Sequence, residues 1–123
     1  SLGGYFTSFA MYENLTSNID IFSAYISASP TVFYNNNYLI NQFANATLKN
    51  QNKTKIYITF GGAEDAEFAA MIPVKRVEIL TALENAIKTK NQIDYSGEIY
   101  THLGHTDTPL PTFIKGINLM LKK

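Results

Sequence analysis

Apolar and polar positions along this chain switch between a period near 3.6 and a period near 2, and each switch marks an element. Tyr5, Phe6, Phe9, Ala10 and Tyr12 recur close to i, i+4, which predicts a buried helix over 3–14. Ile19 to Ala28 is a β-rich run closed by Ser29-Pro30, with the strand proper at 22–28, because a proline cannot donate to a ladder. Asn35-Asn36-Asn37 reads as a turn of residues that tolerate left-handed backbone, and a helix follows over about 38–49. Lys55 to Phe60 is the clearest strand, stopped by Gly61-Gly62. A short helical stretch over 64–72 breaks at Pro73. The longest helix is expected from Val74 to about Lys90, with Val77, Leu80, Leu83 or Glu84, and Ile87 as its apolar stripe and Pro73 suited to its first turn. Gln92 to Tyr100 is a third strand with Gly97 as a bulge. After a loop at 101–109, Leu110, Phe113, Ile114, Ile117 and Met120 or Leu121 define a closing amphipathic helix.

Helix, then three repeats of strand and helix, implies a parallel sheet with helices on both faces: an α/β fold in one domain over 1–123. The composition agrees. The chain is 46% hydrophobic and 16% charged with 8 Tyr and 8 Phe, enough to bury a core. Lys+Arg and Asp+Glu balance at 10 each, so no basic surface marks a nucleic acid or an anionic membrane as partner. Cysteine is absent, which excludes disulfides, thiolate metal sites and a thiol nucleophile while leaving the compartment open. No apolar run reaches the roughly 18 residues of a membrane span. Three sequons at Asn14, Asn45 and Asn52 read as chance matches in an Asn-rich chain.

Candidate chemistry collects where a parallel sheet gathers it, at the carboxyl ends of the strands. Ser1-Leu2-Gly3-Gly4, followed by an apolar helix, matches the second half of a nucleophile elbow, G-x-S-x-G, in which a sharp strand-to-helix turn exposes the serine. A side chain at Gly3 or Gly4 is expected to collide with the neighbouring strand or hold the helix off the sheet. The strand that should precede the serine is absent from the sequence, so the chain reads as the C-terminal part of an enzyme, opening at its nucleophile. Ser29-Pro30 ends the next strand, Gly61-Gly62-Ala63-Glu64-Asp65 the second, and the loop with His102 and His105 the last. Serine, carboxylate and histidine thus fall at separate strand ends in the chain order Ser…Asp/Glu…His, the order of α/β-hydrolases. His-x-x-His with no third ligand pattern is a weak metal signal, and neither metal nor cofactor is expected.

Several of these stretches together resemble one family. Ser1-Leu2-Gly3-Gly4 looks like the Gly-His-Ser-Leu-Gly-Gly elbow of the esterase family of α/β-hydrolases that includes siderophore (enterobactin-type) esterases, S-formylglutathione hydrolases, feruloyl esterases and mycolyltransferases. Phe22 to Pro30, with the aromatic and Asn cluster after it, resembles that family's post-elbow strand. Lys55 to Glu64 resembles its strand ending in glycine and an acid, and Gly104-His105 with Pro109 and Pro111 its histidine loop. The resemblance implies Ser1 as nucleophile, His105 as general base and Glu64 as the orienting acid, with Asp65 as the alternative when the count starts from Gly62. It implies the backbone N–H of Leu2 as one oxyanion-hole donor, and leaves His102 and Asp107 as neighbours of the site. The implied partner is a small-molecule ester. The strand that would flank the first strand is missing, so its edge is expected either to pair with the absent N-terminal half or to drive self-association, and this chain alone is expected to be nearly inactive. An acyltransferase and a non-catalytic binding module share the fold. An N-terminal nucleophile hydrolase also starts at Ser, but its layered antiparallel architecture conflicts with the alternating pattern.

Overall fold

The computed structural model describes residues 1–122. The run Lys55–Phe60, apolar on one side through Ile56, Ile58 and Phe60, becomes the central strand β2 (Thr54–Gly61), flanked by β1 (Ala24–Ala28) and β3 (Ile93–Tyr100) in the order β1-β2-β3. Both pairings are parallel, from Ala24↔Lys55 to Ala28↔Thr59 and from Thr54↔Ile93 to Gly61↔Tyr100. The three strands therefore end side by side, which brings their three carboxyl-terminal loops together. The second register runs unbroken through Ile58↔Gly97, so Gly97 is not a bulge. It is a gap filled from its own strand: a Cβ there would strike the Tyr95 hydroxyl and come within 3.2 Å of Leu80.

Helices α1 (Leu2–Thr16), α2 (Tyr34–Asn45), α3 (Glu64–Glu67), α4 (Arg76–Ile87) and α5 (Pro109–Leu121) complete the chain. Successive side chains of a strand point to opposite faces, and β1 shows what each face meets. Ser27 Oγ lies 3.2 Å from Ser8 Oγ of α1, whereas Ile26 lies against Gly116 of α5. The helices cover both faces, as expected, but unequally. On the α1 face Ile56, Ile58 and Phe60 join Met11, Leu15, Leu39, Phe43, Leu83 and Ile87 in one apolar cluster. On the other face α5 lies alone over a polar surface. Thr59 and Thr112 share a hydroxyl bond of 2.6 Å, and Lys115 Nζ donates to Glu98 (2.5 Å), which also accepts from Tyr57 (2.7 Å). Lys115 is the main reason the Glu98 carboxyl sits below its ordinary range, with the Tyr57 bond adding to it.

Several sequence expectations fail on which face of a helix is buried. The stripe Leu110, Phe113, Ile114, Ile117 and Leu121 faces outward, with Leu110 70% exposed; α5 meets the sheet through Thr112 and Gly116 instead. The sheet beneath it offers hydroxyls and one isoleucine, which a small polar helix face fits and a row of large apolar side chains does not. Likewise α1 buries Gly4, Ser8, Met11 and Leu15, and Phe6 is 69% exposed. Helix α4 is 12 residues and not the longest; α1 has 15. Pro73 lies outside it, ahead of the Lys75 cap, where Glu78 accepts the Lys75 N–H at 3.1 Å. Of the expected stripe Leu80, Leu83 and Ile87 are buried, joined by Ile79 and Ala86, while Val77 is exposed. Asn35, Asn36 and Asn37 do take left-handed backbone, with φ of 51°, 54° and 60°, at the entry to α2.

The two elbow glycines differ. A Cβ at Gly4 would come within 2.7 Å of the Ala28 carbonyl oxygen and 2.9 Å of Pro30 Cα, both main-chain atoms that cannot step aside. At Gly3 the nearest neighbour is Ser1 Oγ at 3.9 Å, so the collision expected there does not occur. Gly4→Ala is expected to cost about 1–3 kcal/mol by overpacking. Gly3→Ala, in an exposed helical turn, is expected to be neutral or stabilising by up to about 1 kcal/mol. Urea unfolding of the two variants checks this; equal costs would contradict the close approach of α1 to the end of β1.

Candidate active site

The end of β2 and the loop after β3 cross at van der Waals distance, and the glycine pair makes that possible. A Cβ at Gly61 would run into the Leu103 carbonyl and meet Thr108 Cγ2 at 3.0 Å; one at Gly62 would meet Thr101 Cα at 2.9 Å. Both glycines keep negative φ, so they are needed for the crossing and not for an unusual turn. Main-chain bonds stitch the two loops, Gly62 N–H to Tyr100 O at 2.8 Å and Ala63 N–H to Leu103 O at 3.1 Å. The crossing delivers Glu64, first residue of α3, under His105.

Glu64 is 2% exposed, and a carboxylate removed from water must be met by donors. Oε2 accepts the Gly61 N–H at 2.7 Å and the Ser29 hydroxyl at 2.9 Å; Oε1 lies 2.5 Å from His105 Nδ1. A carboxylate oxygen accepts, so this contact is a hydrogen bond when Nδ1 carries the proton, the tautomer in which Nε2 is an acceptor. The imidazole is held further by the Phe68 ring, edge-on at 5.5 Å, and by Glu67, whose Oε2 accepts the His105 backbone N–H at 3.0 Å.

Ser29 connects the ends of β1 and β2. Its φ is 45°, a strained value for a residue with a side chain, and its N–H donates to Thr59 O at 2.8 Å. With its own proton committed to Glu64, its oxygen is left to accept. Thr108 Oγ1 lies 2.9 Å from it and 3.1 Å from the His105 carbonyl, one proton for two acceptors. The Ser29 carbonyl accepts from the Ser1 nitrogen, and the Ser1 carbonyl accepts the Tyr5 and Thr31 N–H groups at 3.0 and 3.4 Å. Ser1 thus caps α1 beside the end of β1, one residue contact removed from the Glu64–His105 pair. Among the described residues no hydrogen bond joins Ser1 Oγ to His105. Leu2 opens α1, where a helical N–H has no acceptor within its own helix.

The two acids raised by the sequence have different partners. Asp65 accepts the Arg76 N–H at 2.7 Å and lies 3.6 Å from its Nη1, so it is Glu64 that reaches the imidazole. His102 is exposed, and among the described residues Asp107 accepts only the Gly104 N–H, at 3.4 Å. Ser29 was placed at a strand end by sequence without a role, and Glu67 and Thr108 were not singled out. Glu67 had a faint signal, since residues three apart on one helical turn share a side; Ser29 and Thr108 had none beyond proximity to strand ends. No group of three metal-ligating side chains occurs among the described residues.

A cavity of about 220 Å³ opens beside the pair. Glu64, His105 and Ser29 form its polar wall and Phe33, Phe68, Met71 and Ile72 its apolar one, with Arg76 closing it.

A three-stranded parallel sheet with helices on both faces, its loops converging at the strand ends, is an α/β architecture consistent with part of an α/β-hydrolase-like domain. Among solved structures the chain is similar to the siderophore hydrolase EstA from Aspergillus nidulans, with a TM-score of 0.65 at 18% identity over 98% of this chain. The chain spans 45% of the length of that protein. No protein-family model and no curated protein sequence matches it.

Removing either hydroxyl of the Ser29–Thr108 pair is expected to weaken the fold. Ser29→Ala and Thr108→Val should each cost about 1–3 kcal/mol by leaving a buried polar group short of a partner. Because they share one network, the double variant should fall short of the sum by more than about 0.5 kcal/mol. Denaturant midpoints of the four proteins test this; strictly additive costs would mean that the two hydroxyls act independently.

Proposed function

We propose that the chain carries the nucleophile, base and acid of a serine carboxylic-ester hydrolase, with Ser1, His105 and Glu64 in those roles. The observation that carries the reading is the 2.5 Å contact between buried Glu64 and His105 Nδ1, which leaves Nε2 free to take a proton. In the proposed reaction Ser1 Oγ attacks the ester carbonyl as its proton passes to Nε2. Glu64 holds the ring in the productive tautomer and stabilises the imidazolium without taking the proton. The Leu2 N–H donates to the oxyanion, a donor of a kind worth roughly 3–4 kcal/mol in the transition state. Collapse expels the alcohol, which takes the proton back from His105, and water then releases the acid from the acyl-serine by the same route. The likeness in fold to a siderophore hydrolase makes siderophore-type esters the first natural class to try.

One observation favours a second reading, an esterase-like module that binds without cleaving: Ser1 Oγ has no bond to His105 among the described residues. Nucleophile–base contacts are often long in unliganded sites and tighten with substrate, which is why hydrolysis is preferred here.

Hydrolysis of p-nitrophenyl butyrate by the whole protein separates the two. Ser1→Ala and His105→Gln are expected to abolish turnover above background, and Glu64→Gln to lower kcat by about 10⁴-fold. Asp65→Asn should stay within about tenfold, as its carboxylate serves Arg76. Turnover that survives Ser1→Ala would overturn the proposal, and a larger loss from Asp65→Asn than from Glu64→Gln would move the acid to Asp65.

A further inference from the structure

The cavity beside His105 contains a cation that the triad chemistry does not use. Arg76 is 2% exposed, and its guanidinium lies between two rings, 5.9 Å from the Phe33 centroid and 5.6 Å from that of Phe68. A guanidinium has five N–H donors in a fixed fork. Here Nη1 donates to the Val74 carbonyl at 2.8 Å and faces Asp65 at 3.6 Å. Among the described residues Nε and Nη2 have no acceptor. Neither nitrogen is sealed off, the buried unpaired side-chain atoms among the described residues being the Tyr25 and Tyr95 hydroxyls, so both are open to an acceptor from outside the fold. These belong to a side chain that lines a cavity whose other wall is the Glu64–His105 pair.

The charges point the same way. Glu64 accepts from Gly61, Ser29 and His105, and among the described residues no bond joins it to Arg76. Asp65 is partly solvent-exposed and holds the Arg76 backbone N–H at 2.7 Å, closer than the guanidinium. A ligand that completes Arg76 must therefore bring an acceptor. It must be planar, to fit a fork flanked by two rings, and small, to fit about 220 Å³. A carboxylate meets both demands and pairs with arginine through two parallel bonds; the apolar wall of Phe33, Phe68, Met71 and Ile72 suits the short carbon spacer behind it. A single ring, Phe68, neighbours both the guanidinium and the imidazole, so one small ligand in the cavity can meet both groups.

We infer that Arg76 anchors a substrate carboxylate, making the preferred ester one that carries a carboxylate a few bonds from its scissile carbonyl. The inference rests on the esterase reading for the word substrate, while the anion pocket itself stands on geometry alone. The carboxylate can belong to the acyl half or to the alcohol half, and the test has an arm for each.

In the first arm mono-p-nitrophenyl glutarate is compared with its methyl ester; in the second, 3-(butyryloxy)benzoate with its methyl ester. In one of the two, kcat/KM for the free carboxylate is expected to exceed that of the capped ester by about tenfold to a hundredfold, mostly through KM. Arg76→Met should bring that ratio close to one, and Arg76→Lys, which keeps the charge without the fork, should leave it in between. Independently of turnover, glutarate alone should bind the whole protein in calorimetry at low salt, at least tenfold more weakly after Arg76→Met. Should Arg76→Met fail to fold, Asp65→Asn provides the opposite test: it retains the arginine, removes a competing anion, and should tighten glutarate severalfold. A protein that cleaves neutral esters yet binds no glutarate and shows no preference in either arm would overturn the anchor and leave the esterase standing. Arginine-dependent glutarate binding by a protein that cleaves no ester would keep the pocket and remove the esterase. Glutarate affinity that ignores both Arg76 and Asp65 would overturn the inference.

Discussion

A carboxylate buried to 2% exposure has to find its donors inside the protein, and Glu64 finds one from each of the three strand ends. Ser29 follows β1, Gly61 ends β2, and His105 lies in the loop after β3. Take away any one strand and the carboxylate is left charged and short of a partner, at a cost of several kcal/mol. The parallel register is what brings the donors together: Gly61 sits beside Tyr100, so β2 and β3 end level, and Ala28 beside Thr59, so β1 ends two residues short of them, where Ser29 reaches Glu64. Around this point the conformationally costly features gather, including the left-handed Ser29 and the glycine pair over which the histidine loop crosses. Strain and close approach of this kind persist only where the surroundings over-determine them.

The two sheet faces contribute differently to that arrangement. The α1, α2 and α4 face carries the apolar cluster and supplies most of the hydrophobic stabilisation. The α5 face is held by hydroxyls, by the Lys115–Glu98 bond and by Lys55, whose ammonium meets the carbonyl of Lys122 beyond the end of α5 at 2.5 Å. Hydrogen bonds specify geometry more than they stabilise it, and here they fix where α5 begins. Thr108 caps α5 and is also a member of the Ser29 network. The residue at which α5 starts is thus also the one whose hydroxyl, making no capping bond to the helix, holds the His105 carbonyl.

The sequence made the order of elements legible because strands and helices differ in period, and the ends of β2 and β3 were foreseen to within a residue. The strand ends were legible too, since glycine pairs and a Ser-Pro step mark them. Helix faces were harder. Leu110, Phe113, Ile114 and Ile117 form a regular apolar stripe, yet Thr112 and Gly116 are the buried positions. Periodicity reports that a face exists, while the partner surface decides which face is covered; Thr59 on β2 selected Thr112. Arg76 was given no role by the sequence. A charged residue at a helix start reads as solvated, and only the tertiary placement of Phe33 and Phe68 makes it one of the most deeply buried large side chains. Whether residue 64 or 65 faced the histidine was likewise beyond spacing, because adjacent residues of one short helix point to different neighbours.

The central claim is that the Glu64–His105 pair activates the hydroxyl of Ser1. The most direct measurement is the intact mass of the whole protein after treatment with a fluorophosphonate, repeated for Ser1→Ala and followed by peptide mapping. One adduct per chain, mapped to the peptide that contains Ser1 and absent from the alanine variant, is the predicted result. A folded protein that takes up no adduct, or one labelled equally well after Ser1→Ala, would contradict it.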